Sequence, residues 1–254
     1  MKISVIIIAK NAEKQIVDCL KSVSWADETV VVNDCSEDKT AEIAQKMGAK
    51  VYGHKMKDFA NQREYALKKA NGEWVLYLDA DERVREELKS EILALFEVRG
   101  SRFERNVVAY RIPRKNFYFG CYEWPMVEKP ERLFFKKALK GWRGPVHETP
   151  IVEGKVGELK NSLLHYTHQD LSSMVRKTNE WSEIEAEMLY RADHPQMTCW
   201  RFLKVMFIRF WHSYIGQGGW KIGTPGLIES IYQAFSYFII YAKLWEKQQK
   251  EPIR

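Results

Sequence analysis

The stretch Gly72-Glu73-Trp74-Val75-Leu76-Tyr77-Leu78-Asp79-Ala80-Asp81-Glu82-Arg83 restricts the fold more than any other part of this 254-residue chain. The apolar run from Trp74 to Leu78 reads as a strand buried on both faces of a sheet. It stops at two carboxylates spaced two apart, with a third directly behind them. This pattern predicts a turn that gathers Asp79 and Asp81 at the carboxyl edge of the strand, and a helix beginning at Val84. Acids crowded in this way repel one another unless a cation lies among them. A hard divalent ion, Mg²⁺ or Mn²⁺, meets that need, because such ions take one or two protein carboxylates and complete their shell with water and phosphate oxygens. The arrangement therefore describes a site for a nucleoside diphosphate. The competing reading is a helix cap at Asp79 with Asp81 and Glu82 in the first turn, so the surrounding chain has to decide.

The first third alternates strand and helix. Ile3 to Ala9 is a buried strand, and Asn11 is a suitable N-cap for a helix carrying Ile16, Cys19, Leu20 and Val23 three and four apart. Thr29 to Val32 is a second strand, followed by a helix that Ser36 or Asp38 can cap and Gly48 ends. Lys50 to Tyr52 is a short third strand, and a helix from about Asp58 to Lys69 carries Arg63. Strand alternating with helix implies an α/β fold with a mostly parallel, right-handedly wound sheet flanked by helices.

Ligands of such sheets bind outside the carboxyl ends of the strands. Ala9-Lys10, Asp34 and Asp79-Ala80-Asp81 all fall there. Asp34 can accept from a base N–H or a ribose hydroxyl, or else serve turn chemistry, where Asp is common. No Gly-x-Gly-x-x-Gly follows the first strand and no Walker lysine motif exists. Phosphates would then be held through a metal and basic side chains.

Composition is that of a folded protein with ample length for a core: 45% hydrophobic and 29% charged. Cys19, Cys35, Cys121 and Cys199 lie far apart, the usage of reduced thiols in a cytosolic compartment. The apolar run at the start is too short for a signal peptide. The net charge of +6 is uneven, with twelve Lys and Arg against four Glu between Arg99 and Arg143. That segment, interleaved with Phe117, Tyr118, Phe119, Tyr122 and Trp124, suits an anionic lipid surface, a phosphorylated acceptor or a plain solvated face. No nucleic-acid-binding motif accompanies it, which argues against nucleic acid.

Four segments together resemble the family 2 glycosyltransferases of the GT-A fold, and among them the lipopolysaccharide-core β-1,4-glucosyltransferase subgroup. They are Ser4 to Asn11, Val31 to Thr40, Phe59-Ala60-Asn61-Gln62-Arg63 and Trp74 to Glu82. The likeness continues more loosely through Pro130 to Phe135 and Gly144-Pro145-Val146-His147-Glu148, whereas Asn33-Asp34-Cys35 departs from the Asp-Asp-Gly or Asp-Ser-Gly of many members. The resemblance implies inverting transfer from a UDP-sugar, glucose foremost, to a glycan or lipid-linked acceptor in cell-envelope polysaccharide synthesis. It implies that Ala9, Lys10, Asp34, Arg63, Asp79 and Ala80 bind the donor and that Asp81 holds the metal-diphosphate. It also implies a catalytic domain over residues 1–168, with a nucleotide half near 1–98 and an acceptor half near 99–168. A sugar nucleotidyltransferase, or a non-catalytic carbohydrate-binding protein of the same fold, is the alternative.

The attacking hydroxyl needs a base across the sugar from the diphosphate, on a segment later than the Asp-x-Asp. Glu148 fits, following a turn-rich loop, with Glu128, Glu131 and Asp170 as rivals. His147 is a candidate ligand for the metal or diphosphate and His165 a second, each with a structural hydrogen-bonded role as its alternative.

Residues 169–254 change character. Leu171 to Arg191 reads as a charged helix, Cys199 to Trp211 mixes aromatics with cations, and Leu227 to Lys247 follows a glycine-rich turn. The most apolar part, Ile231 to Ala242, is short of the ~20 residues needed to span a bilayer. It suits an interfacial position on the cytoplasmic face of a membrane, pairing in a homodimer, or packing on the catalytic domain.

Overall fold

The computed structural model of the protein describes residues 2–97, 107–144 and 148–250. In chain order its elements are β1 (Ile3–Ala9), α1 (Ile16–Ser22), β2 (Glu28–Asn33), α2 (Thr40–Lys46), β3 (Lys50–Gly53), α3 (Phe59–Lys69), β4 (Trp74–Asp79), β5 (Glu82–Val84) and α4 (Glu86–Glu97). There follow β6 (Val107–Arg111), β7 (Arg114–Tyr118), β8 (Tyr122–Glu128), β9 (Glu131–Phe135), β10 (Leu139–Arg143), β11 (Thr149–Val152), β12 (Lys155–Glu158) and β13 (Leu163–Tyr166). The last helices are α5 (Leu171–Arg191), α6 (Cys199–Trp211) and α7 (Thr224–Lys250). The chain divides into two compact units, Met1–Lys115 with Glu128–His165, and Asn116–Val127 with Tyr166–Arg254.

The first unit is built on a seven-stranded sheet in the order β12-β6-β9-β4-β1-β2-β3. Strands β4, β1, β2 and β3 run parallel, as the strand and helix alternation requires. Strand β9 is inserted antiparallel between β4 and β6. Alternate residues supply two cores, because successive side chains of a strand point to opposite faces. Val5, Ile7, Leu76 and Leu78 pack with Ile16, Cys19 and Leu20 of α1, Ala44 of α2 and Leu88 and Ile92 of α4. Ile6, Val30, Val32, Val75 and Tyr77 pack with Ala66 of α3 and with Trp142. Helices therefore cover both faces, and strands buried on both sides need the continuous apolar runs seen in the sequence.

Two local expectations are corrected. Helix α1 begins at Ile16 with Gln15 as its cap residue, not at Asn11. Asn11 adopts a left-handed backbone (φ 48°) and ties two loops together instead. No helix begins at Val84: Glu82–Val84 is a strand paired antiparallel with β13, Glu82 opposite His165, and α4 starts at Glu86. The basic middle segment is less free than its composition suggests. Among its described cations, Arg111 pairs with Glu131, Lys129 with Glu158 and Lys140 with Glu153.

In the second unit the aromatics of residues 116–127 are largely engaged. Trp124 is buried, Tyr118 packs on Trp124 and His168, and Phe117 stacks on Tyr166. Asp170 caps α5 by accepting from the Ser173 N–H at 2.7 Å. Helix α7 packs on α5 and α6 and starts at Thr224, three residues before the expected Leu227. Its Gly226 is required by proximity: a Cβ there would lie 1.8 Å from the Gly219 carbonyl oxygen. No described helix is long and apolar enough to cross a membrane.

Candidate active site

Strand ends bring the expected groups to one edge of the first unit's sheet. Ala9 closes β1, Asn33 closes β2 opposite it, and the Asp34 N–H donates to the Ala9 carbonyl at 2.9 Å. Asp34 is buried. Its Oδ1 accepts from the Met56 N–H at 2.8 Å, and its Oδ2 lies 3.4 Å from Nζ of the exposed Lys10. The Asn11 N–H donates to Ser36 Oγ, and Asn11 Oδ1 accepts from the Glu37 N–H, both at 2.9 Å. The loops after β1 and β2 are thus laced to one another.

Asp79 closes β4, and a turn at Ala80 and Asp81 leads into β5. Asp79 Oδ2 accepts from Arg132 Nη2 at 2.9 Å, and its Oδ1 lies 3.5 Å from Arg63 Nη2. Glu82, fully buried, accepts the Asp79 backbone N–H at 3.0 Å through Oε2. Through Oε1 it accepts Arg132 Nη2 at 2.8 Å and Arg114 Nη1 at 3.2 Å. Arg114 also pairs with Glu128. Buried charges persist only when paired in this way.

Arg63 joins this cluster to Glu148. Its Nε donates to Glu148 Oε1 at 2.5 Å, across 85 residues of sequence. The guanidinium lies 5.4 Å from the Tyr77 ring centroid and 5.1 Å from that of Trp142, and the Tyr77 hydroxyl donates to the Arg63 carbonyl at 3.1 Å. A planar cation with a fixed fork and aromatic neighbours holds one position well. Among the rival bases, Glu128 and Glu131 are each held by an arginine, as Glu148 is, and Asp170 belongs to the second unit as a helix cap.

Electrostatics at Asp79 follow from its neighbours. Solvent reaches 34% of its side chain, yet enough protein surrounds the carboxyl that desolvation, the largest single influence, pushes its pKa up. The Arg132 and Arg63 guanidiniums, aided by His165, outweigh that and hold it far below the usual carboxylate range. Burial pulls Arg132 down, and the Asp79 and Glu82 carboxylates more than restore it.

Asp79 is thus charge-balanced by two guanidiniums. Asp81 Oδ1 lies 3.4 Å from His165 Nε2. Among the described residues no three His, Cys, Asp or Glu side chains group to hold a metal by themselves. One carboxylate and one imidazole fit an ion such as Mn²⁺ when a diphosphate and water complete its shell. His147 lies outside the described residues.

The glycosyl transferase family 2 model matches residues 4–146, more than half of the chain. The chain belongs to glycosyl transferase family 2. An uncharacterized glycosyltransferase of Rickettsia typhi is 30% identical, covering 98% of this chain and 88% of that protein. The lipopolysaccharide core biosynthesis glycosyltransferase LpsC of Rhizobium meliloti is 27% identical over 97% of this chain and 93% of its own. Among solved structures, residues 1–349 of S. aureus TarS in complex with UDP align over 100% of this chain and 93% of that one, at 19% identity and a TM-score of 0.48.

This family 2 glycosyltransferase carries Ala9, Lys10, Asp34, Arg63, Asp79, Ala80 and Asp81 inside the matched segment, and Glu148 just beyond it. Sequence reasoning missed the weight of Glu82, Arg114 and Arg132. A signal existed for Arg132: it stands directly before the apolar Leu133-Phe134-Phe135 of β9, and a cation in a buried strand needs a counter-charge.

Proposed function

We propose that this enzyme transfers a hexose, glucose in the first instance, from a UDP-sugar with inversion to a hydroxyl of a glycan or lipid-linked acceptor in cell-envelope polysaccharide synthesis. It would work in the cytoplasm, where such donors are made. The observation that carries the reading is Arg63 bridging Asp79, at the carboxyl end of β4, and Glu148. A donor-side carboxylate and a candidate base are thereby held by one rigid cation. The likeness to LpsC supports an envelope product.

In this reading Asp34 and Lys10 receive the uridine, and Asp79 the ribose. Asp81 and His165 would hold a divalent cation, whose chemistry is to neutralise charge on the leaving diphosphate. The acceptor hydroxyl attacks the anomeric carbon as the bond from that carbon to the UDP oxygen breaks, and Glu148 takes the hydroxyl proton. Arg63 holds Glu148 Oε1, and Oε2 would receive the proton of the incoming hydroxyl. Cation–π contact with Tyr77 and Trp142 restrains the guanidinium.

The test is a comparison of wild type with Glu148→Gln on UDP-glucose, with Mn²⁺ present, following UDP release and donor binding separately. The expected result is turnover lowered about 100-fold or more with donor affinity kept. Near wild-type turnover would remove Glu148 from the mechanism, and failure of every UDP-hexose to bind would remove the donor assignment.

A further inference from the structure

Helix α6 carries large apolar residues on both its inner and its outer side, with Arg201, Lys204 and Arg209 among them. Its inner side is engaged: Phe202 lies against Phe238 (5.7 Å between ring centroids), and the Arg209 guanidinium sits 3.7 Å from the centre of the Tyr237 ring. On the outer side Trp200, Leu203, Phe207 and Trp211 recur at helical spacing, with Trp200 71%, Phe207 66% and Leu203 62% exposed. No residue of the helix is buried. Large exposed apolar faces rimmed by polar groups mark interaction sites. The exposed apolar series continues through Ile215 and Trp220 to Ile231 in α7.

Charge identifies the partner. From His194 to Ile228 the chain contains no Asp or Glu, and it contains Arg201, Lys204, Arg209 and Lys221. Arg201, Lys204 and Lys221 are exposed, while Arg209 is committed to Tyr237. We infer that this face docks on the surface of an anionic phospholipid bilayer. Tryptophan rings suit the boundary between headgroups and acyl chains, and long cationic side chains reach the lipid phosphates while their stems lie along apolar surface. A second copy of the same face is the poorer partner: a two-fold interface is self-complementary only if like charges are kept apart, and here every charge on the stretch is positive. Docking is in the plane of the interface, since no described helix is long and apolar enough to cross. The inference is independent of which sugar or acceptor the catalytic unit uses.

Flotation of the full-length protein with vesicles tests it. Protein should float with vesicles of phosphatidylethanolamine and phosphatidylglycerol, bind weakly to pure phosphatidylcholine, and be released by high salt. Arg201→Ala and Lys204→Ala should each weaken binding about fivefold, and Leu203→Ser with Phe207→Ser by tenfold or more. Melting temperature and UDP-glucose hydrolysis in detergent-free buffer should stay at the wild-type value in each variant. Absence of flotation with anionic vesicles at low salt would overturn the inference. So would equal binding to neutral vesicles, or a concentration-dependent dimer in sedimentation that the Phe207 variant disrupts while vesicles fail to compete with it.

Discussion

The buried carboxylate of Glu82 receives the backbone N–H of Asp79 at 3.0 Å with one oxygen and Arg132 at 2.8 Å with the other. It thereby ties the Asp79-Ala80-Asp81 turn to the strand that brings Arg132. Glu82→Gln keeps the shape but leaves Arg132 and Arg114 short of charge. Breaking a buried pair from one side costs about 3–5 kcal/mol, so urea unfolding should show a loss in that range. UDP release should fall with it, because Arg132, which also holds Asp79, loses one of its two carboxylate partners.

Arg63 spans two carboxylates through different nitrogens, Nε and Nη2. Arg63→Lys retains the charge without the fork. Steady-state kinetics should show turnover reduced about 100-fold, the consequence of misplacing a group by roughly an ångström, while the unfolding midpoint shifts far less than for Glu82→Gln.

If Asp81 and His165 share the ion, both positions should alter its affinity. For Asp81→Asn and for His165→Gln, the Mn²⁺ concentration giving half-maximal UDP release should rise at least about tenfold. Calorimetric titration of Mn²⁺ in the presence of UDP checks this without turnover.

Glu28 links the start of the sheet to the approach of β4. Burial pushes its carboxyl up, but hydrogen bonds from the Asn71 backbone and side chain, Lys50 and Ser4 bring it down to about 2. A folded pKa below the unfolded one gives stability that is complete above about 4.5 and is lost as pH falls toward about 2. Glu28→Gln should flatten the acid limb of stability in that window and cost about 1–2 kcal/mol at neutral pH. Thermal melts from pH 7 to pH 2 would reveal it.

Gly226→Ala places a methyl group 1.8 Å from the Gly219 oxygen. Overpacking of this kind costs about 1–3 kcal/mol. The loss should be seen in the melting temperature and in vesicle flotation, with UDP-sugar hydrolysis little changed.

The parallel strands were legible because double-sided burial leaves continuous apolar runs, as from Trp74 to Leu78. The positions of Asp34 and Asp79 followed, since strand ends in such a sheet define an edge. What local pattern concealed was pairing at long range. Glu82-Arg83-Val84 resembles the acidic first turn of a helix, and only its partner β13, about eighty residues later, makes it a strand. The same holds for Glu82 with Arg132, fifty residues apart, and for Arg63 with Glu148: neither residue carries a sign of the other. Asn11 resembled a helix cap because Asn satisfies orphan donors in either setting. Here the donor it satisfies belongs to Glu37.

Strand β9 runs opposite to β4, with Leu133 facing Leu76, so the early residue Arg132 arrives where β4 ends. A slip of one residue would turn every side chain of β9 to the other face. It would carry the guanidinium away from Asp79 and Glu82 and take from both acids the counter-ion they share, leaving Asp79 to Arg63 and Glu82 to Arg114. The reacting edge and the correctness of the sheet are consequently checked by the same three charges: a chain that folds out of register forfeits its most heavily penalised contacts first, before any donor is met.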